Sequence, residues 1–154
     1  MRALLAIVAV AAPSWFLVGC TTAAGSHMGL FTASAPVVAI MYDDLFVGQA
    51  VGYMDGTGTL DLHSALDPQK RCVGESRYTG SKTGIAHLRC NDGAEASASF
   101  NALGALSGYG FGRLGGKPVS FTYGLTPEEA AQYLTLPAGK RLIKKPTGPA
   151  LVDM

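Results

Sequence analysis

The sequence lacks the excess of basic residues that is typical of nucleic-acid-binding domains. Residues 29–139 contain seven lysines and arginines against ten aspartates and glutamates, a net charge of −3. Positive charge dominates only after residue 139, where four basic residues stand against one acidic residue. We therefore predict that the main part of the chain has no nucleic-acid partner.

The sequence also lacks the patterns of the common catalytic and cofactor sites. It contains no Gly-x-Ser-x-Gly nucleophile elbow. The glycine-rich segment 108–112 is not followed by a helical pattern, so it predicts a strand or bulge instead of a phosphate-binding loop. His63 and His87 could join Asp61 or Glu75, but we can place only two ligands together where a metal site needs three or four. We predict no enzyme activity, no catalytic or metal-binding residues and no cofactor.

The N-terminal apolar run is too short for a typical transmembrane helix. Residues 3–18 carry no charge and follow a single basic residue, Arg2. This 16-residue run suits the core of a signal peptide, whereas a spanning helix needs about 20 apolar residues. Pro13 further disfavours a spanning helix. We predict that residues 1–19 are a cleavable signal peptide.

The signal peptide leads into Leu17-Val18-Gly19-Cys20, which resembles the lipobox of bacterial lipoproteins. The resemblance implies that the leader is cut before Cys20 and that Cys20 is acylated, so that the membrane is a partner of the mature chain. Several acyl chains hold a protein on a membrane almost permanently. In Gram-negative lipoproteins an aspartate after the cysteine favours the inner membrane. This chain has Thr21 there, which implies the outer membrane and its periplasmic face.

Two other interpretations of the leader remain open. Residues 22–24, Thr-Ala-Ala, fit an ordinary signal-peptidase site, and cleavage there would discard Cys20. The leader could also stay uncleaved as a membrane anchor. The chain after the leader is rich in alanine, serine, threonine and glycine, so we predict that residues 20–36 are a flexible tether.

Glycine is dense in the middle of the sequence, which disfavours long helices. Fifteen glycines lie between residues 48 and 124, and each costs about 1 kcal/mol in a helix interior. Apolar and polar residues alternate over 94–103, and Asn91-Asp92-Gly93 is a strong hairpin turn. We predict a mainly β fold, an antiparallel meander of about seven or eight short strands with one short C-terminal helix.

The C-terminal helix has several start signals that agree. Thr126 fits the N-cap, Pro127 fits the first helical position, and Glu129 completes a capping box. We expect the helix over residues 127–134, because Pro137 prevents a longer one.

These elements set the predicted boundaries of the globular part. One β-rich domain spans residues 37–136, including the helix. Residues 137–154 contain prolines and glycines among basic residues, which indicates an irregular basic tail. The cations of this tail could contact anionic lipid head groups or could simply be solvated. They are Lys140, Arg141, Lys144 and Lys145.

Part of the β region resembles a MORN repeat. The segment 73–80 begins with Val-Gly-Glu, Gly84 lies centrally, and Asp92-Gly93 follows at the end. The resemblance implies β-hairpins, while Ser76 stands where an aromatic residue is usual, so we take over no function from it. A spacing of 26 residues also relates two sets of positions, as an internal repeat would. The sets are Gly58, Gly84 and Gly110, and Leu62, Leu88 and Leu114.

The chain is also similar to small proteobacterial lipoproteins of unassigned function. The segments that carry this similarity are Cys72–Glu75, Cys90–Gly93 and Phe121–Ala130. The resemblance covers most of the mature chain. It implies a lipoprotein and brings no activity with it.

Cys72 and Cys90 give the sharpest chemical signal inside the domain. If a hairpin turns near residue 81, the two positions are directly opposite each other and within disulfide reach. An exported chain enters an oxidising compartment, so we predict a structural disulfide, worth about 3 kcal/mol in the chain-entropy model. A redox-active pair and a buried reduced pair are the alternatives. The same register places Glu75 opposite His87 on the surface.

Three functions are compatible with the sequence. The first is a non-enzymatic structural or interaction module of the envelope, which binds another envelope protein. The second is a small-ligand or lipid-binding β module, which requires a cavity lined by apolar side chains. The third is an envelope hydrolase, which requires titratable groups clustered in a cleft, with His63 and His87 close together.

Overall fold

The structure, a computed structural model, describes residues 32–154. The predicted signal peptide 1–19, the predicted lipidation site Cys20 and the tether up to residue 31 lie outside the described residues. Within the described chain the first eight strands are β1 Thr32–Met41, β2 Asp44–Tyr53, β3 Thr57–Ser64, β4 Arg71–Tyr78, β5 Thr83–Cys90, β6 Glu95–Gly104, β7 Ser107–Leu114 and β8 Lys117–Tyr123. The remaining elements are α1 Pro127–Ala130, β9 Lys140–Lys145 and β10 Gly148–Asp153.

Strands β1 to β8 form a closed antiparallel barrel in which each strand pairs with the next one along the chain. The barrel closes because β1 also pairs with β8, from Val37 opposite Tyr123 to Met41 opposite Val119. The predicted antiparallel meander of seven or eight short strands is therefore confirmed, with eight strands in the barrel. Closure gives each of these strands two neighbours and removes the exposed sheet edges of an open meander.

The tether predicted over residues 20–36 is too long, because β1 already begins at Thr32. Apart from the Pro36 carbonyl, which accepts a hydrogen bond from the Gly124 N–H at 2.8 Å, residues 32–36 pair with β2 alone, and the ladder with β8 starts at Val37. This part of β1 is therefore an edge, where Pro36 is tolerated although it has no N–H to donate. Small and polar residues suggested a tether, but pairing with β2 overrides their low strand propensity.

The inward-facing side chains fill one end of the barrel. Met41, Phe46 and Leu114 are fully buried there, beside the bonded pair Cys72 and Cys90. We call this the closed end and the opposite one the open end. The loops of the closed end are residues 42–43, 65–70, 91–94 and 115–116.

The predicted disulfide is confirmed. Cys72 on β4 and Cys90 on β5 are directly opposite each other in the ladder and are bonded. Both are buried, so the bridge joins two neighbouring strands from inside the barrel. The register that places them opposite each other also places Glu75 opposite His87, as expected.

A second, smaller core lies outside the barrel. Side chains on the outer faces of β1 and β2 pack there against the C-terminal part of the chain. Its buried members are Val38, Ile40, Leu45, Ala130, Leu134 and Leu142. The C-terminal segments therefore belong to the same folded unit as the barrel.

The C-terminal helix is shorter than predicted, spanning Pro127–Ala130 instead of 127–134. Its capping box, made by Thr126 and Glu129, is confirmed. After Ala130 the chain forms turns that bury Leu134, and the backbone N–H of Thr135 donates to Ser120 Oγ at 2.8 Å. These tertiary contacts end the helix before Pro137 can. Within residues 32–154, no helix has the length and the apolar character needed to cross a membrane.

The C-terminal tail is not irregular as predicted, because residues 140–153 form the hairpin β9–β10. Leu142 is buried in the outer core and Leu151 packs against that core. This apolar pair gives the hairpin a buried face, which outweighs the prolines and glycines that indicated an irregular tail. The predicted domain boundary at residue 136 is therefore wrong, and the folded unit continues to Asp153.

Candidate functional site

A cavity of about 480 Å³ occupies the open end of the barrel. It exists because several inward-facing positions at this end are alanine, glycine or serine. Ala35, Ala50, Gly52, Ser76 and Ala86 line it. Small side chains on facing strands cannot meet across a barrel of eight strands, so the space between them stays empty.

Two inward-facing glycines make room for aromatic rings in the cavity wall. A Cβ added at Gly84 would lie 2.1 Å from the Phe100 ring, and one added at Gly110 would lie 2.5 Å from the Phe121 ring. Such contacts are too close for carbon atoms, so both rings can lie against the sheet only because glycine is opposite them. The rings of Phe100 and Phe121 present apolar surface to the cavity.

Hydroxyl groups gather at the mouth of the cavity. The phenol oxygens of Tyr78 and Tyr123 are 3.4 Å apart, and both rings stand edge-on to Phe100. Burial, and after it the hydrogen bond with Tyr78, raise the pKa of Tyr123 above its usual value, so this phenol stays protonated at neutral pH. A phenol can donate a hydrogen bond and can accept one. None of the described residues that line the cavity is charged.

The histidines considered in the sequence lie on the outer wall, away from the cavity. His87 on β5 faces Glu75 across the ladder, and its Nδ1 is 3.0 Å from Ser97 Oγ. His63 is on β3, two strands away from His87 and four residues further along the strand direction. The usual spacings within and between strands place the two histidines about 16 Å apart. These two residues therefore do not form the cluster that the hydrolase hypothesis requires.

Asp61, the other candidate ligand near His63, is bound by an arginine. Arg71 donates two hydrogen bonds to its carboxylate, the Nε bond at 2.7 Å, and this pairing lowers the pKa of Asp61. The arrangement is an exposed ion pair between neighbouring strands. Among residues 32–154, no three His, Cys, Asp or Glu side chains converge closely enough to hold a metal ion.

The glycine-rich segment 108–112 is part of β7, as predicted for a strand with close backbone approach. Its aromatic side chains point outward, away from the cavity. Tyr109 stacks on Tyr133 with ring centroids 4.6 Å apart. Phe111 is 47% exposed, beside Tyr109. The segment therefore contributes glycines to the inside and an aromatic patch to the outside.

The four cations considered for lipid contact lie on one strand, β9. Lys140 forms an ion pair with Asp153, with Nζ 2.6 Å from Oδ1. Arg141, Lys144 and Lys145 are exposed. Their positions are fixed by the hairpin, and their contact with anionic lipid stays a prediction.

The sequence did not predict the cavity directly, although the 26-residue spacing contains a signal for it. The inward-facing positions of three alternate strands contain these glycines: Gly58 on β3, Gly84 on β5 and Gly110 on β7. One hairpin of this barrel is about as long as the spacing, so alternate strands place a glycine on the inside. Recurrent glycines on inward-facing positions indicate an interior that is either empty or filled by aromatic rings. The sequence alone does not reveal this, because the inward-facing positions are defined only when the barrel closes.

Comparison with known proteins assigns neither a family nor an activity. No protein-family model, no curated protein and no solved structure matches this chain.

Proposed function

We propose that this protein is a lipid-anchored envelope protein whose barrel binds a small apolar or amphipathic ligand. The observation that carries the proposal is the cavity at the open end. Its volume of about 480 Å³ falls within the range of about 300–1,000 Å³ that is usual for ligand sites. Each methylene group that enters such a site contributes about 0.8 kcal/mol through burial.

The lining favours a ligand with a hydrocarbon body and one small polar end. Phe100, Phe121 and Leu60 offer apolar surface inside the cavity. The phenols of Tyr78 and Tyr123 offer hydrogen bonds at its mouth. A single-chain lipid, such as a fatty acid or a fatty alcohol, combines both chemistries.

The lipobox supports the anchor and the location. Acylation of Cys20 would tie the barrel to a membrane, and Thr21 favours the periplasmic face of the outer membrane. The disulfide between Cys72 and Cys90 suits that oxidising compartment. We propose a binding function without catalysis, since the histidines and the Asp61–Arg71 pair lie outside the cavity.

The outer wall supports a second candidate function, an interaction with another envelope protein. Phe111 is exposed beside the stacked pair Tyr109 and Tyr133. Aromatic residues of this kind are enriched at protein contact sites. This interface would lie on the side of the barrel, so it is compatible with a ligand in the cavity.

The cavity proposal is tested by filling the cavity. Gly52 faces it, and a Cβ added there has one neighbour within 4 Å, the Ala33 carbonyl oxygen at 3.9 Å. We expect Gly52→Leu to weaken the binding of cis-parinaric acid at least tenfold, because the leucine occupies the ligand's space. The measurement is a fluorescence titration of the soluble chain 21–154, which lacks the predicted lipidation site Cys20.

The matched control is Gln49→Leu, an added leucine on the same strand at an exposed, outward position. It should leave the affinity unchanged, and thermal unfolding should show that both variants are folded. Equal binding by both variants, or an absence of saturable binding by the parent protein, would contradict the cavity proposal.

A further inference from the structure

Large apolar side chains are exposed around the mouth of the cavity. Eight such residues are exposed in residues 32–154, and four of them lie at the open end. We call these four the open rim: Met54 (80% exposed), Tyr78 (41%), Leu103 (47%) and Leu106 (51%). They come from three successive hairpins, so they surround the mouth instead of lying along one strand. Exposed apolar surface that is concentrated in this way marks a contact site.

The chain enters the barrel at the same end. Thr32 begins β1 and lines the cavity together with Met54 and Leu106. Eleven residues, 21–31, separate it from Cys20 in the sequence, and a fully extended chain of that length spans about 40 Å at most. An acyl anchor on Cys20 would therefore keep the open rim within about 40 Å of the bilayer surface.

The hairpin turns of the open end carry no net charge. The hairpin turns of the open end contain one acidic and one basic residue, Asp55 and Lys82. Asp55 accepts hydrogen bonds from the backbone and the hydroxyl of Thr57, so its carboxylate is held within its own turn. The loops of the closed end contain three acidic residues and one basic residue: Asp43, Asp67, Asp92 and Lys70. The turns of the open end therefore present no net charge to an anionic lipid surface.

We infer that the open rim docks on the lipid bilayer that holds the anchor, so that the cavity opens toward the lipid. The inference rests on the proposed lipid anchor and on the proposed ligand-binding cavity. In this orientation Met54, Leu103 and Leu106 enter the interfacial region of the bilayer. Tyr78 lies at the level of the head groups, where amphipathic rings are favoured. A single-chain lipid can then pass from bilayer to cavity without crossing bulk water.

Tryptophan reporters test this orientation on the mature lipidated protein, residues 20–154. The only tryptophan in the sequence is Trp15 in the leader, so the emission of the parent protein serves as the blank. Leu106→Trp places a reporter on the open rim. Leu66→Trp is the matched control, because Leu66 is 82% exposed in a loop of the closed end. Both variants are reconstituted in phosphatidylethanolamine–phosphatidylglycerol vesicles with ordinary or dibrominated acyl chains.

Dibrominated lipid should reduce the emission of Leu106→Trp at least twofold and leave that of Leu66→Trp unchanged. Adding Met54→Asp to the Leu106→Trp variant should reduce the quenching, because an aspartate opposes insertion of the rim. Equal quenching at the two reporters, or no quenching at Leu106→Trp, would overturn the docking inference.

The docking inference and the ligand-binding proposal fail separately. Saturable binding of cis-parinaric acid to the soluble chain 21–154, together with an unquenched rim reporter, overturns docking and leaves the cavity proposal standing. A quenched rim reporter without binding of cis-parinaric acid supports docking and overturns the proposed ligand function.

Discussion

At the scale of single residues, the identity of the inward-facing side chain decides whether the barrel is filled or empty. Gly52 and Ala50 leave space on β2, while Phe46 on the same strand is fully buried at the closed end. The inward glycines are not equivalent. Gly52 borders empty space, whereas Gly110 lies against the ring of Phe121 and the backbone of β6.

This difference predicts opposite responses to the same substitution. Gly110→Ala should lower the free energy of unfolding by about 1–3 kcal/mol, because the new methyl group overlaps the Phe121 ring and the Ser99 carbonyl. Gly52→Ala should be neutral or stabilising by about 0.5 kcal/mol, because the methyl group meets no close neighbour and the unfolded chain loses freedom. Urea denaturation of the two variants checks both values, and equal destabilisation would contradict the assigned packing.

The raised pKa of Tyr123 predicts that the free energy of unfolding depends on pH in the alkaline range. Burial and the bond with Tyr78 raise its folded-state pKa above the unfolded value of about 10. The folded state therefore holds the proton more tightly, so the contribution to stability is complete below pH 10 and is lost as pH rises toward the folded pKa. The loss should stay well under 1.4 kcal/mol for each pH unit, since this half-buried phenol is partly screened by water. Urea unfolding between pH 9 and 11 should show a smaller decrease for Tyr123→Phe, and an equal decrease would contradict the assignment.

At the scale of elements, the outer core explains why the C-terminal segments fold. The hairpin β9–β10 packs against α1 and against the outer face of β1 and β2. Leu142 is 7% exposed, whereas the adjacent Arg141 is exposed. The buried face of the hairpin, with Leu142, therefore stabilises it by packing in the outer core, and the exposed face carries charged side chains such as Arg141.

Removing the buried side of this hairpin should be costly. Leu142→Ala should reduce the free energy of unfolding by about 2–3 kcal/mol, in the usual range for a buried leucine. Arg141→Ala should change it by less than about 0.5 kcal/mol, because that side chain is exposed. Hydrogen exchange should show protected amides over residues 140–145 in the parent protein. Rapid exchange there, or equal unfolding energies for the two variants, would contradict a packed hairpin.

The elements that the sequence predicted correctly are those specified by short-range patterns. The turn at residues 91–93, the register of Cys72 with Cys90 and the cap at Thr126 depend on neighbouring residues or on one hairpin. Two of the elements missed depend on distant partners. The end of α1 and the folding of the hairpin β9–β10 are fixed by contacts with strands far away in the sequence. The cavity belongs to this second group, because it arises only when β1 meets β8. The start of β1 at Thr32 was missed for another reason, because its small and polar residues hid a strand that pairs with the neighbouring β2.

At the scale of the whole molecule, the proposed anchor decides where the barrel can act. If Cys20 is acylated, globomycin should cause the unprocessed precursor to accumulate, because it inhibits the peptidase that cuts lipoprotein leaders. Immunoblotting of treated cells would show a larger band, and Cys20→Ala should abolish labelling by an alkyne fatty acid. An unchanged band pattern under globomycin would contradict the lipoprotein proposal, while leaving the barrel and its cavity unaffected.

The pairing of β1 with β8 also constrains the order of folding. Val37 and Tyr123 are adjacent in the sheet but are separated by most of the barrel sequence. Local hairpins can form early, whereas closure must bring the two ends of the meander together. Because this contact joins residues far apart in the sequence, we expect the barrel to fold slowly. The outer core needs the completed β1–β2 face, so α1 and the last hairpin assemble against strands that are already paired. A chain exported from its N-terminus would thus remain an open, unclosed sheet until its last barrel strand had emerged.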